Sequence, residues 1–117
     1  MPREKIATWP SALASRVTVR AAEALTGNRT VTLAELEQWQ ALIFNPSTTA
    51  RDVTLPPASA CAGVKVFIGN TGSATGNLVV KDAAGTAVAT ITPPAANDVA
   101  GAWFLCDGSA WFGALGA

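Results

Sequence analysis

The chain has 117 residues and a mass of 11.9 kDa, which sets the scale of one domain. Half of its residues are hydrophobic and only 14% are charged, against roughly 25% in a typical soluble domain, with eight basic and eight acidic residues for a net charge of zero. That balance excludes the basic footprint of a nucleic-acid binder. The apolar residues are too dispersed to form a membrane-spanning run of ~18 or more. A domain this small buries about 65% of its unfolded surface. The remaining apolar excess is expected to lie against other subunits, and zero net charge removes the repulsion that opposes association.

The first fifteen residues lack clean periodicity, and Pro2 and Pro10 interrupt any regular helix. They read as an extended arm over 1–15, with Ile6, Trp9 and Leu13 as apolar anchors and Arg3, Lys5 and Arg16 as flanking charges. No apolar stretch of signal-peptide type is present there, so synthesis in a cytoplasm is expected. The folded domain is expected over 16–117. Arg16 to Arg20 alternates polar with apolar, as a half-buried strand does. Thr26 to Arg29 is a turn cluster. Thr32 and Glu35 form a capping box, which predicts one short helix over about 33–40.

Short strand-like runs follow: 41–44, 51–55, 64–68, 78–81, 87–92, 101–106 and 109–112. Turn signals separate them: Asn45-Pro46-Ser47, Pro56-Pro57, the loop Gly69 to Ser73, and Pro93-Pro94. Asp82 and Gly85 define a turn with a glycine bulge. Asp107 and Gly108 define the strongest hairpin signal, read as a two-residue loop. The expected fold is all-β: a small antiparallel β-sandwich or barrel of short strands with the one helix. With the two-residue loop, Phe104 would pair with Trp111 and Trp103 with Phe112, one pair in the core and the other covered by a neighbouring subunit.

The sequence contains no His and no Tyr, which excludes His-dependent catalysis and His metal sites. Two cysteines, Cys61 and Cys106, are too few for a structural zinc site and read as buried free thiols. The glycine-bearing stretch 69–76 lacks the Lys of a phosphate-binding loop. Glu35 and Glu37 sit two apart on the predicted helix and do not face each other. No catalytic, cofactor or metal residue is therefore assigned, and the chain is not expected to be an enzyme. Asn28-Arg29-Thr30 matches a glycosylation acceptor only by chance on this reading. Trp103 and Trp111 leave open a second reading, a fibre or adhesin-type module that stacks host-surface glycans.

Several segments together resemble the small β domains of tailed-bacteriophage capsid decoration (head-stabilising, cement) proteins and related head and tail fibre domains. They are Leu25-Thr26-Gly27-Asn28-Arg29-Thr30, Ile43-Phe44-Asn45-Pro46 and Val53-Thr54-Leu55-Pro56, then Val66-Phe67-Ile68-Gly69-Asn70-Thr71-Gly72 and Val80-Lys81-Asp82-Ala83-Ala84-Gly85, closing with Cys106-Asp107-Gly108-Ser109-Ala110-Trp111. The resemblance covers about three quarters of the chain and rests largely on turn and strand grammar. It implies a homotrimer on the outer surface of a virion, made in the host bacterial cytoplasm. There it would clamp neighbouring copies of the major capsid protein, with the arm reaching along the shell. It implies no cofactor, no nucleic acid and no membrane. Fibre versions usually continue into further domains, so an end at Ala117 favours the stand-alone cement protein.

Overall fold

A computed structural model describes residues 18–72, 75–95 and 98–115. The expected arm, with Arg3, Lys5, Ile6, Trp9, Leu13 and Arg16, lies outside the described residues, as does the boundary placed at residue 16. Of the strand expected over Arg16 to Arg20, the described part contributes one isolated parallel bridge, Val19 to Ala41.

The fold is mostly β, with nine strands among the described residues. These are β1 (Glu23–Ala24), β2 (Arg29–Thr30), β3 (Ala41–Asn45), β4 (Arg51–Thr54), β5 (Lys65–Asn70), β6 (Leu78–Lys81), β7 (Ala87–Ile91), β8 (Ala100–Cys106) and β9 (Trp111–Leu115). One sheet has the order β1-β3-β5-β8-β9, the other β2-β4-β6-β7. Both are mixed, which corrects the antiparallel expectation. β1, β3 and β5 run parallel, as do β2, β4 and β6. From β1 to β6 the chain alternates between the sheets, and each pass lies beside the last, as in a parallel β-solenoid. The turn clusters at Asn45-Pro46-Ser47 and Pro56-Pro57 carry the chain across to the other sheet instead of closing hairpins. Neither sheet closes into a barrel among the described residues.

The two sheets share one core. Leu42, Phe44, Val66, Ile68, Ala102, Phe104 and Trp111 come from the five-stranded sheet, and Val53, Leu78, Val80 and Ile91 from the other. Asn70, expected in a loop, instead ends β5 as a fully buried residue. Its Nδ2 donates to the carbonyls of Gly76 and Ile91, both at 3.1 Å, and its Oδ1 accepts from Gly72 N at 2.9 Å. The bond to Ile91 ties the end of β5 to β7 in the opposite sheet. Cys61 and Cys106 are buried free thiols. Burial pushes the Cys61 thiol up, and the neighbouring Cys106 adds to the shift.

The capping box is present: Thr32 Oγ1 accepts from Glu35 N and Glu35 Oε1 accepts from Thr32 N. The helix α1 spans only Leu33–Gln38, because Trp39 is extended (φ −123°, ψ 136°), and it buries none of its residues. Glu35 also accepts from Arg29, which donates to Glu23 as well, while Arg20 donates to Glu23 at 2.6 Å. The guanidinium of Arg29 lies 5.6 Å from the centre of the Phe44 ring, so this ionic chain closes one end of the core.

Hydrogen bonding from Arg29 holds the Glu35 carboxyl down at about 2, against an ordinary 4.5, and lowers Glu23 in the same way. A carboxylate depressed in the folded state stabilises the fold above its unfolded pKa and loses that contribution as pH falls through the folded value. Stability should therefore fall between about pH 4.5 and pH 2. Urea denaturation across that window should show a shallower loss for Glu35→Gln than for the natural chain. Parallel curves would show that the pair contributes nothing to acid sensitivity.

The Asp82 turn follows its sequence signature. Asp82 Oδ1 accepts from Ala84 N and Thr86 N and Gly85 has φ +91°, while the register shift lies at Val80/Lys81, ahead of the turn, and not at the expected glycine bulge. The last hairpin differs from the two-residue reading. Its loop is Asp107–Ala110, with Cys106 opposite Trp111, Phe104 opposite Gly113 and Trp103 opposite Ala114. Asp107 Oδ1 accepts from Ser109 N and Ala110 N, so the side chain organises a longer loop than a type I′ turn allows. These backbone bonds also lower the Asp107 pKa. Gly108 alone takes the positive φ, +90°, and a Cβ there would stand 3.1 Å from that of Ala62. Gly108→Val should cost more than about 1 kcal/mol through strain and crowding. An unchanged melting temperature in a thermal scan would refute that account of the loop.

Candidate interaction surface

The register shift in the last hairpin is two residues, so it changes the partners without changing the faces. Phe104 and Trp111 point into the core, and Trp111 Nε1 donates to the Pro56 carbonyl at 2.8 Å. Trp103 and Phe112 lie on the opposite face, which no other element of the described residues covers. The division of the four aromatics between two faces holds, and the proposed cross-strand pairs do not.

Cross-strand partners share a face, so the ladders define the outer surface of the five-stranded sheet row by row. One row holds Lys65, Leu105 and Phe112. The next holds Ala41, Phe67, Trp103 and Ala114, extended by Val19 at the edge. The third holds Ile43, Gly69 and Gly101. Of the five large hydrophobic residues exposed among the described residues, four belong to this surface: Val19 (54%), Val99 (49%), Leu105 (42%) and Phe112 (54%). The outer face of the other sheet carries Asp52, Val79 and Thr90 in one row and Thr54, Lys81 and Ala87 in the next, with a Lys81–Asp52 ion pair of 2.9 Å. One outer face is therefore mostly apolar and the other more polar.

The apolar face is not flat. Gly69 and Gly101 are directly opposite each other, and the space left by their missing side chains is filled from neighbours. A Cβ on Gly101 would lie 2.3 Å from Phe67 Cζ, and one on Gly69 would lie 2.7 Å from a Val99 methyl. The Phe67 ring meets Trp103 edge-on at 5.4 Å and 65°. Val19, Ala41, Ile43, Phe67, Val99 and Trp103 together line a recess of about 370 Å³. Lys65 Nζ lies 4.6 Å from the Trp103 ring centre, a cation–π contact on the recess wall. Beside the recess, Leu105 and Phe112 face each other across β8 and β9 as an exposed apolar knob.

Among the described residues, no cluster of three or more His, Cys, Asp or Glu is placed to hold a metal ion. No helix among them is long and apolar enough to cross a membrane. A smaller hollow of about 260 Å³ lies between the two hairpin loops, bounded by Pro57, Ala58, Asp82, Ser109 and Trp111. Asp82 turns its Oδ1 to its own loop, and Trp111 is nearly buried, so this hollow offers little chemistry. No family model, curated protein or solved structure matches the chain.

Sequence reasoning separated Trp103 and Phe112 from Phe104 and Trp111 without saying which pair lies outside, and it missed Val19, Ile43, Phe67, Val99 and Leu105 as neighbours of the outer pair. The available signal was Gly69 and Gly101. A glycine inside a strand pattern marks a place where another group approaches closely, and both sit within apolar β runs.

Proposed function

We propose that this chain is a structural, non-catalytic domain that adheres to protein surfaces in an assembly. In the form the sequence resemblance favours, it is a homotrimer on the outside of a phage capsid that clamps neighbouring major capsid proteins. We read its two sheets as the layers of a small sandwich, one face polar to solvent and the other apolar toward protein. The observation that carries the reading is this one-sided surface, which holds four of the five large hydrophobic residues exposed among the described residues, in and beside one recess. Contiguous exposed apolar surface on a small domain marks a place of interaction. Repetition of the contact in three copies would turn weak individual contacts into lasting attachment.

The glycan-binding alternative gains nothing from Trp103 or Trp111. Lys65 lies over the Trp103 ring, and Trp111 is a core residue with its indole N–H bonded internally.

The test is co-sedimentation of the intact purified protein with empty shells of the virus that carries it. Saturable binding, followed by greater resistance of the decorated shells to heat, is expected. A folded protein left wholly in the supernatant would refute the capsid reading.

A further inference from the structure

The two cysteines lie on distant stretches of the chain but meet at one carbonyl. Ala58–Ala60 forms a single 3-10 turn after Pro57, and the Ala58 carbonyl accepts from Cys61 N at 3.0 Å. The same oxygen accepts from Cys106 Sγ at 3.3 Å. The backbones are tied as well. Val64 N donates to the Cys61 carbonyl at 3.0 Å, which closes a tight turn with Gly63 at φ +80°. Cys106 N donates to the Val64 carbonyl at 3.0 Å, and Gly63 N donates to the Cys106 carbonyl at 2.8 Å. Both side chains are buried in the one core cluster. We propose that Cys61 and Cys106 are a latent disulfide, open while the chain sits among reduced thiols and closed by exchange with a low-molecular-weight disulfide of the glutathione class.

This inference is independent of the association reading. A disulfide joins side chains whose Cα atoms stand roughly 4.4–6.8 Å apart. The shared acceptor keeps Cys106 Sγ no farther from Cys61 N than two hydrogen bonds laid end to end, so closure asks for side-chain rotation and a small loop shift, not for movement of β8. In the first step one cysteine thiolate attacks the glutathione disulfide, forming a mixed disulfide and releasing one glutathione thiol. The other cysteine then attacks the protein sulfur of that mixed disulfide and releases the second. The two protein thiols lose two electrons and two protons, and two glutathione thiols carry them away. Burial pushes the Cys61 thiol up, with the neighbouring Cys106 adding to the shift, so the exchange is slow near neutrality. Once closed, the bond ties the approach to β5 to the last hairpin, beside the hydrogen bond from Trp111 Nε1 to the Pro56 carbonyl. It joins positions about 45 residues apart, a loop long enough to restrict the unfolded chain strongly.

The test starts from the intact chain, reduced and folded, incubated with excess glutathione disulfide at about pH 8.5, where a larger share of thiols is ionised. Mass spectrometry without reductant reads the product. Because the chain has only two cysteines, a single chain lighter by two hydrogens identifies the bond. Most of the folded chain should reach that mass. Its melting temperature should rise by about 5 °C or more, and dithiothreitol should return it to the starting value. Cys61→Ala and Cys106→Ala should each take up at most one glutathione and show no such reversible rise. If a variant fails to fold, the mass and melting temperature of the natural chain still decide. Glutathione adducts that persist on the folded chain, disulfide-linked dimers, or thiols that react only after unfolding in urea would each show that the two sulfurs do not meet in this fold, and would overturn the proposal. A closed bond that lowers the melting temperature would overturn it as well, because the fold would then resist the bond.

Discussion

Asn70→Leu is expected to destabilise the domain by about 3–5 kcal/mol, because it strands three buried backbone partners at once. The Gly76 and Ile91 carbonyls lose their donor and Gly72 N loses its acceptor, at a residue with no exposure to water. Leucine is of similar size, so the loss would come from unmade hydrogen bonds and not from a cavity. Urea denaturation should show a lower midpoint with an unchanged slope. A loss below about 1 kcal/mol would mean that water or a local shift satisfies these groups, and that Asn70 does not tie β5 to β7.

The second large effect is expected at Trp111. Trp111→Ala should cost about 3–5 kcal/mol, the range for removing a large aromatic from a packed core. Trp111→Phe should cost only about 1–2 kcal/mol, chiefly by leaving the Pro56 carbonyl without its donor. The ordering of the two separates packing from hydrogen bonding. If Trp111→Ala were tolerated at less than about 1 kcal/mol, Trp111 would be a surface residue, and the division of aromatics between core and outer face would fail.

The parts of the fold that were legible in the sequence are those decided by neighbours in the chain. Thr32 and Glu35 meet because they are one helical turn apart, and Asp82 and Gly85 because a tight loop needs an acceptor and a positive φ. Alternation along β8 and β9 put Phe104 and Trp111 on one face and Trp103 and Phe112 on the other even though the loop length was misjudged, but it did not say which face is the core. What was not legible is long-range. Parallel pairing of Glu23 with Phe44, or of Val53 with Val80, has no turn residue to announce it, so a wound chain reads as a series of hairpins. Asn70 followed a glycine and preceded a threonine and another glycine, a pattern that fits a loop. Only the opposite sheet shows why a buried amide is needed there. The recess was invisible for the same reason. Val19, Ile43, Phe67 and the Val99–Trp103 segment come from four separate stretches, and only sheet order brings them together.

The central claim is that the apolar outer face of the five-stranded sheet is an association surface that copies of the chain bury against each other. Sedimentation equilibrium of the intact natural chain at low-micromolar concentration tests it most directly. The account predicts a particle of about three times the 11.9 kDa chain mass, dissociating only on dilution. A folded species that stays at 11.9 kDa across the concentration range would contradict it.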